Sequence, residues 1–197
     1  MRLPRSFFDR PTLDVARDLI GKVLVRRASE GRTAGVIVEA EAYIGEGDPA
    51  CHAAAGPTPR NRPLYGPPGF AYVYLNYGVH CLFNIVTEAE GKPAAVLIRG
   101  LEPLAGVRLM RLRRAGDRKK SEIPDEQLCR GPGSLAKAMG VTLTENRADL
   151  GVGRIWVEDR GAPVGEIAWS PRIGISAGTE HHWRCFLVGS RAVSGRR

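Results

Sequence analysis

Two glutamates in one apolar segment are the residues best suited to acid–base chemistry. Glu39, Glu41 and Tyr43 occupy alternate positions within residues 35–44, a period of two that predicts a β-strand with all three side chains on one face, opposite the core face. The two glutamate Cα atoms would lie about 6 to 7 Å apart, which is compatible with carboxylates that activate water to hydrolyse a glycosidic bond. Glutamates on an ordinary solvated strand face follow the same pattern. The apolar positions expected on the core face are Val36, Val38, Ala40, Ala42 and Ile44.

The distribution of charge makes this acidic segment unusual. The chain of 197 residues has 29 Lys+Arg against 21 Asp+Glu, a formal net charge of +8, and 24 of the cations are arginines. Such an excess favours a polyanionic partner, because arginine matches the geometry of phosphate. Residues 34–58 nevertheless contain no Lys or Arg, and carboxylates on a docking face would repel a polyanion. Some of the four carboxylates in this segment are therefore expected to do chemistry, and they are Glu39, Glu41, Glu46 and Asp48.

Aromatic side chains are concentrated in the next part of the chain. All five tyrosines and two of the five phenylalanines lie between positions 43 and 83, namely Tyr43, Tyr65, Phe70, Tyr72, Tyr74, Tyr77 and Phe83. A tyrosine in a strand is commonly half-buried in the core. Tyr77 differs because it stands beside Gly78 at the predicted tip of a hairpin, where a ring has little core to enter. An exposed ring on a rigid hairpin is suited to wedge between stacked bases.

Two short motifs could bind phosphate. The GPGS motif that begins at Gly131 opens a predicted helix. The free N–H groups at a helix start attract anions, and the Ser134 hydroxyl adds a further donor. Arg60 and Arg62 lie in a Pro-rich loop and could contact a nucleic-acid backbone. Each motif also has an ordinary interpretation, either a tight turn with proline at the first helical position or a solvated loop.

The remaining patterns predict a single domain of mixed α/β (α+β) class that covers residues 1–197. Helices are predicted from Pro11-Thr12 to Gly21, from Glu102-Pro103 into an arginine-rich segment, and from Gly131 to Gly140. Strands are predicted at 22–26, 35–44, 94–99, 154–157 and 185–188, with a hairpin of strands 70–76 and 79–86 around Tyr77-Gly78. A basic segment at 117–120 is expected to form a mobile loop, and the last few residues could be disordered.

Simple patterns exclude several classes of protein and site. Four widely spaced cysteines without a C-x-x-C motif argue against a disulfide scaffold or a cysteine-based zinc site, and they are Cys51, Cys81, Cys129 and Cys185. The charged N-terminus lacks the apolar segment of a signal peptide. Residues 66–87 carry no charge over 22 positions, but Asn76-Tyr77-Gly78 interrupts them, so a hairpin is favoured over a membrane span. The chain is therefore expected to be intracellular, without a metal, a cofactor or a membrane partner.

The order and spacing of six motifs give a more specific signal than any one of them. They are VEAEAYIG at 38–45, Asp48 with His52, TPRNR at 58–62, GFAYVYLNYG at 69–78 with Asn84, VLIRGLEP at 96–103 and CRGPGSL at 129–135. Over nearly the whole chain this series resembles the alkyladenine (3-methyladenine) DNA glycosylase family. The resemblance implies a curved, mostly antiparallel sheet with a protruding β-hairpin and flanking helices.

The resemblance also implies an activity. A monofunctional enzyme of this kind flips a damaged purine out of double-stranded DNA and hydrolyses its N-glycosidic bond, which leaves an abasic site. The implied lesions are alkylated or deaminated purines of the 3-methyladenine, hypoxanthine and ethenoadenine class, and the implied enzyme is a cofactor-free monomer of the cytoplasm or nucleoid. No lysine lies between Lys22 and Lys92, which removes the obvious amine for a Schiff-base lyase step.

Individual residues take their implied roles from the matching motifs. Glu41 matches the base that activates water, and Arg99 matches a supporting arginine beside it. Tyr43, His52 and Tyr74 match the pocket that stacks on the flipped base. Asn84 matches the position that disfavours guanine, and Tyr77 matches the intercalating position. Supporting contacts or contacts to the DNA backbone are assigned to Arg60, Arg62, Gly131 and Ser134. Val79 and His80, beside Tyr77, depart from the family pattern and leave the lesion range open.

Two other functions remain open on the residues alone. A non-catalytic DNA-binding module would explain the charge of +8 and the hairpin, but it gives no reason for Glu41 on the same face as Tyr43. A hydrolase of small nucleosides would explain the carboxylates, but not the arginine excess or Tyr77. Steep weakening of binding by salt separates the DNA-directed functions from the last one, and base release separates the enzyme from the module.

Overall fold

The computed structural model describes residues 1–115 and 123–195, which contain five α-helices, eight strands and two short 3₁₀ turns. The helices are α1 (Arg5–Phe8), α2 (Thr12–Leu19), α3 (Val107–Ala115), α4 (Asp125–Leu128) and α5 (Pro132–Met139). The strands are β1 (Val23–Ala28), β2 (Gly31–Ile44), β3 (Ala71–Asn76), β4 (His80–Val86), β5 (Ala94–Ala105), β6 (Ile155–Glu158), β7 (Ile167–Ser170) and β8 (Arg184–Leu187). The 3₁₀ turns are Arg62–Tyr65 and Leu143–Glu145.

The eight strands form one antiparallel sheet with β2 near its centre. The order along the main path is β3-β4-β5-β2-β1-β6, and β8 pairs with both β2 and β7. One edge of β2 pairs with β5 over most of its length, while the other edge pairs with β1 at its beginning and with β8 at residues 39–41. The predicted fold class, a single α+β domain with a curved, mostly antiparallel sheet, is confirmed.

An irregularity in β2 corrects the predicted assignment of its faces. The pairing of β2 with β5 shifts between Ile37 and Glu39 and again before Ala40. Ile37 packs with Ala40 in the main core, whereas Val38 packs with Ala192 in a separate cluster. The prediction that all apolar positions from 36 to 44 face one core is therefore wrong, because a bulge interrupts the period of two.

The main core lies where helices pack on the central strands. In α2, Val15, Ala16 and Leu19 recur at helical spacing and are fully buried. They belong to the same cluster as Ile37 of β2 and Ile98 of β5. Full burial of each large apolar side chain contributes about 1.5 to 3 kcal/mol, so α2 holds the two strands that carry the candidate site.

The helix predicted to open at Glu102-Pro103 is wrong in its start. β5 continues to Ala105, and Gly106, with φ of +72°, turns the chain into α3. Proline has no N–H to donate to a neighbouring strand. It is tolerated in β5 because N–H groups two residues apart in a strand point in the same direction, and the N–H of Leu101 points away from β2. A Glu-Pro pair is a common helix start, and only the partner strand distinguishes the two structures.

Most other predicted elements agree with the structure to within two residues at their starts. They are α2, α5, β1, both strands of the hairpin, β5, β6 and β8. β2 begins at Gly31, four residues earlier than predicted. The short elements α1, α4 and β7 have no counterpart in the predictions, because four residues carry too little periodic signal. The predicted loop at 117–120, together with Arg196 and Arg197, lies outside the described residues.

The uncharged residues 66–87 form a loop followed by the β3–β4 hairpin. Within residues 1–115 and 123–195, no helix has the length and apolar character needed to cross a membrane. In the same ranges, no group of three or more His, Cys, Asp or Glu side chains is arranged to hold a metal ion.

The turn at Gly106 allows a test of the corrected β5–α3 junction. A Cβ added at Gly106 would lie 2.3 Å from the backbone carbonyl oxygen of Arg32, and its φ is +72°. We expect Gly106→Ala to lower the free energy of unfolding by about 2 kcal/mol or more, because both the strain and the clash involve backbone. Urea unfolding measures this change.

Gly91→Ala is the matched control for Gly106→Ala. Gly91 has φ of +89°, but a Cβ added there has nothing within 4 Å. It should cost only the strain of a left-handed alanine, about 1 kcal/mol. Equal losses in the two variants would contradict the close approach of Gly106 to Arg32.

Candidate active site

The buried carboxylates of β2 form the centre of the candidate site. Glu39 and Glu41 have no exposed surface, so they are not the solvated glutamates that the strand pattern also allowed. Arg99 of β5 bridges them, with Nε donating to Glu39 Oε1 at 3.2 Å and Nη1 donating to Glu41 Oε2 at 3.1 Å. The register shift leaves Arg99 out of the regular pairing between Gly100 and Ile98. The two side chains predicted to share one face therefore reach the same guanidinium.

Glu41 keeps one acceptor site for a further donor. Its Oε2 accepts from the Tyr43 hydroxyl at 2.8 Å and from Arg99, and its Oε1 accepts from the backbone N–H of Ile173 at 2.8 Å. An ionised carboxylate offers about four lone-pair sites, so one site on Oε1 remains. Burial disfavours the charge on Arg99, but the charges of Glu41 and Glu39 outweigh burial and raise the pKa of Arg99. Arg99 therefore stays protonated and places a positive charge against Glu41.

Glu39 has a different environment, in which three donors share one of its oxygens. Oε1 accepts from Arg99, from Arg184 Nε at 2.7 Å and from the Ser194 hydroxyl at 2.8 Å, and Oε2 accepts from the Ser194 N–H at 2.6 Å. Glu39 therefore accepts from four donors, one more than Glu41, and is less suited to bind water. Neither Arg184 nor Ser194 carried a signal in the sequence, because both contacts join residues more than 140 positions apart.

A cavity of about 350 Å³ opens beside Glu41. Its lining includes the three residues that donate to Glu41, which are Tyr43, Arg99 and Ile173, and Glu41 itself is fully buried. The aromatic and polar part of the lining includes Tyr43, His52, Tyr72, Tyr74 and Asn84. The structure thus brings the four predicted pocket residues, Tyr43, His52, Tyr74 and Asn84, to one cavity.

The ring walls of this cavity are held edge to face and are uncharged. The His52 ring centroid lies 4.4 Å from that of Tyr74, and His52 Nδ1 lies 2.9 Å from Tyr72 Oη. Part of His52 is exposed, but burial of the rest, with the charge of Arg60 nearby, lowers the pKa of His52. Burial raises the pKa of Tyr74 to about 12. Both rings are therefore neutral near pH 7.

Sequence reasoning missed two parts of the cavity wall. Tyr72 lies opposite Asn84 in the hairpin and accepts a 3.1 Å hydrogen bond from Asn84 Nδ2 at its backbone carbonyl. Residues 173–175, in the loop between β7 and β8, form another wall. A strand tyrosine and an Ile-Gly-Ile segment have no distinctive chemistry, so only the fold identifies them.

A buried ion pair fixes the segment that follows β2. Arg172 donates to Asp48 through Nη1 at 2.5 Å and Nη2 at 2.8 Å, and both side chains are fully buried. Burial works against the charge on Asp48, but the bonds from Arg172 outweigh it and lower the pKa of Asp48. The Arg172 guanidinium also lies 4.7 Å from the Tyr43 ring centroid. Asp48, which the sequence selected, therefore positions the pocket, and its partner Arg172 had no sequence signal.

Tyr77 lies at the exposed turn of the hairpin and at the rim of the cavity. Its side chain is 90% exposed, and both Tyr77 and Gly78 have left-handed backbone, with φ of +49° and +69°. Two such residues are typical of the type I′ turns that join hairpin strands. A non-glycine residue in this region costs about 1 kcal/mol, so the chain holds a large ring outward at some expense of stability. Val79 is also exposed, at 71%.

The two loop arginines do not lie together. Arg60 donates from Nη2 to the Leu75 carbonyl at 3.3 Å, and its guanidinium lies 5.6 Å from the Tyr74 ring centroid, beside the cavity. Arg62 instead lines a separate cavity of about 480 Å³ together with Arg147. The predicted pair of backbone contacts is therefore divided between two surfaces.

Gly131 and Ser134 lie at the start of α5, close to the hairpin. Gly131 precedes the helix with φ of +90°, and Pro132, the first residue of α5, lines the main cavity. A Cβ added at Gly133 would lie 3.1 Å from the ring of His80. The hairpin thus rests against the helix start that the sequence selected as a phosphate site.

Comparison with known proteins agrees with this arrangement of residues. A model of the methylpurine-DNA glycosylase family matches residues 6–191. A protein of Methanocella arvoryzae, with the provisional name 3-methyladenine DNA glycosylase, is 50% identical over 198 aligned residues, which cover 98% of this chain and 96% of that protein. A protein of the same provisional name from Rubrobacter xylanophilus is 50% identical, and the alignment covers 91% of this chain and 93% of that protein. Another from Burkholderia lata is 46% identical, and the alignment covers 98% of this chain and 91% of that protein. The resemblance inferred from the motifs is confirmed, and the chain belongs to the methylpurine-DNA glycosylase family.

Proposed function

We propose that this DNA glycosylase hydrolyses the N-glycosidic bond of alkylated or deaminated purines, of the 3-methyladenine, hypoxanthine and ethenoadenine class, after the damaged base has flipped out of double-stranded DNA. The products are the free base and an intact abasic site, and the enzyme acts as a monomer. The observation that carries this proposal is the Glu41 carboxylate, which is buried, charge-paired and held by three residues that line a cavity of about 350 Å³.

Glu41 is the general base in the proposed reaction. Water donates to the open site on Glu41 Oε1, next to the Ile173 N–H. The carboxylate takes a proton from water as the water oxygen attacks C1′ of the sugar, and the electron pair of the N-glycosidic bond leaves with the base. Arg99 contacts the other oxygen of Glu41 and holds the carboxylate in place.

The cavity suits one flipped base. Its volume is near the lower end for ligand pockets, which favours a single purine over a dinucleotide. Neutral π faces from Tyr43, His52 and Tyr74 stack well on electron-poor or cationic purines. Asn84, held by the Tyr72 carbonyl, is placed to crowd the N2 amino group of guanine and so to protect the normal base.

The hairpin provides the means to take a base out of the stack. A base inside a duplex cannot be reached, and damaged bases leave the stack at lower cost than paired ones. Tyr77, 90% exposed at the rim of the cavity, could occupy the space that the flipped nucleotide leaves. The net charge of +8 supplies attraction to the phosphate backbone.

An intact abasic product is supported by the composition of the cavity wall. A lyase step needs an amine that forms a Schiff base with the sugar. Among the described residues that line the cavity there is no lysine. Hydrolysis by water is then the route that remains for Glu41 to assist.

Duplexes that each carry one hypoxanthine, ethenoadenine or 3-methyladenine test the whole proposal. Incubation followed by alkaline cleavage detects abasic sites, and omission of the alkali detects any lyase step. Base release from duplex DNA, with strand breaks only after alkali, is expected. Binding without release would favour the non-catalytic module, and release from free nucleosides with no dependence on salt would favour the small-molecule hydrolase.

Glu41→Gln tests the assignment of the base. It removes the proton acceptor without a change of shape, so single-turnover excision should fall by about 10² to 10⁴-fold while duplex binding is retained. Glu39→Gln is the matched control, a neighbouring buried carboxylate that should reduce excision much less. Equal damage by both substitutions, or a Glu41→Gln enzyme with nearly normal activity, would show that another group is the base.

Asn84→Ser tests discrimination against guanine. The smaller side chain no longer crowds the N2 amino group of a flipped base, so excision of 7-methylguanine should rise relative to hypoxanthine. We would measure both rates under single-turnover conditions and excision from normal G·C pairs as well. An unchanged ratio would remove Asn84 from the specificity determinants.

Tyr77→Ala tests the wedge. Loss of the ring should lower excision from duplex DNA by one or more orders of magnitude, because a few kcal/mol of unstacking are no longer offset. The defect should shrink when hypoxanthine is mispaired or in a single strand, where unstacking costs less. The melting temperature should change little, since the ring is 90% exposed.

Val79→Ala is the control for the wedge experiment. Val79 is also exposed on the same hairpin tip, at 71%, but it has no assigned role in intercalation. Its loss should affect paired, mispaired and unpaired substrates alike and only weakly. If Tyr77→Ala behaves in the same way as Val79→Ala, Tyr77 is not the intercalating residue.

A further inference from the structure

Ser194 makes four hydrogen bonds behind the carboxylate pair. Its hydroxyl donates to Glu39 Oε1 at 2.8 Å and accepts from Arg99 Nη2 at 3.2 Å. Its N–H donates to Glu39 Oε2 at 2.6 Å, and its carbonyl accepts from Arg184 Nη2 at 2.8 Å. The residue is buried, with 8% of its surface exposed. It lies beyond residues 6–191, which the family model matches.

The Ser194 hydroxyl completes the coordination of the Arg99 guanidinium. Each of the three guanidinium nitrogens has its own acceptor: Nε has Glu39, Nη1 has Glu41 and Nη2 has Ser194. A guanidinium is planar and rigid, so a contact at one nitrogen fixes the direction of the other two. The Nη1 contact with Glu41 therefore depends on the Nη2 contact with Ser194.

We infer that Ser194 is a positioning residue for the glycosylase reaction, which fixes the Arg99 guanidinium and through it the carboxylate of Glu41. The inference rests on the proposed role of Glu41 as the base. Without the hydroxyl, Nη2 is a buried donor without its acceptor, and the closest strong acceptor is Glu39, which has lost a donor at the same time. The guanidinium then rotates toward Glu39, and Nη1 leaves Glu41.

Ser194→Ala, compared with Ser190→Ala, tests this inference. Ser190 lies in the same segment, and its hydroxyl donates to Glu102 Oε1 at 2.6 Å, away from the carboxylate pair. Single-turnover excision of hypoxanthine should fall by about 10-fold or more in Ser194→Ala, since small misplacements of reacting groups are costly, and it should be unchanged in Ser190→Ala. Affinity for a duplex with an abasic analogue should stay within about 3-fold in both, because neither residue contacts the cavity.

The pH dependence of the rate provides a readout that a purely structural serine would not move. Loss of the Arg99 contact changes the charge next to the catalytic base, so the pH–rate profile of Ser194→Ala should differ from that of the unsubstituted enzyme. The titratable and charged groups around Glu41 on the neighbouring elements are unchanged in this variant, and they are Glu39, Tyr43, Tyr74, Arg99, Arg172, Arg184 and Cys185. A shift therefore reports on their arrangement.

A double variant establishes whether Ser194 acts through Arg99. Arg99→Lys removes the planar contact, and Ser194→Ala should have little further effect on the rate in that background. If Ser194→Ala proves too unstable, Ser194→Cys keeps the volume of the side chain with only a weak donor, and the same loss is expected. Full additivity with Arg99→Lys, or a loss of melting temperature with no change in rate or pH profile, would overturn the inference.

Failure of this inference can be distinguished from failure of the proposed function. An inactive Glu41→Gln enzyme together with a fully active Ser194→Ala enzyme would leave the general base in place and remove only the role of Ser194. An active Glu41→Gln enzyme would remove both.

Discussion

The structure around the cavity depends on the neutralisation of two carboxylates that lie two residues apart inside the protein. Glu39 and Glu41 are fully buried, and an unpaired charge in such a place would cost several kcal/mol or force the group to take up a proton. Arg99 contacts both carboxylates, and Arg184 also contacts Glu39. Two cations therefore match two anions, and each anion can remain ionised.

The irregular pairing of β2 allows Arg99 to neutralise both carboxylates. A regular ladder would place Arg99 opposite one residue of β2, whereas the shift between Glu39 and Ala40 leaves it unpaired and free to reach two side chains. The shift just before it, between Ile37 and Glu39, turns Val38 toward a small second cluster with Ala192 and Val193. That cluster brings the chain near position 194 against the carboxylates. The bulge thus serves both the ion pairs and the packing that covers them.

The sequence predicts local features well and distant contacts poorly. The strand of Glu39 and Glu41, the hairpin turn at Tyr77-Gly78 and helix α5 follow from period and turn residues within short windows, and the structure has them. The helix start at Glu102 and the single core face of β2 are wrong because both depend on a partner strand. The position of Arg62 apart from Arg60 follows from the 3₁₀ turn that begins there.

The candidate site divides in the same way. Residues such as Glu41, His52 and Asn84 belong to recognisable motifs, whereas Ile173, Arg184 and Ser194 reach the carboxylates from 132 to 155 positions away along the chain. Isoleucine, arginine and serine are common, and nothing in their neighbours marks them. Their contribution is a backbone donor, a second cation and a hydroxyl, which become visible only when the chain has folded.

The Asp48–Arg172 pair has a consequence for how the pocket receives a base. Arg172 joins the segment before His52 to the Ala42 carbonyl and lies between the rings of Tyr43 and Trp183. Tyr43, which lines the cavity, and the segment that leads to His52 are thereby tied to one rigid guanidinium before any ligand arrives, so this part of the cavity is preorganised and has little to rearrange on binding. Under the proposed function, the shape of each base then decides whether it fits, and the conformational change falls on the DNA.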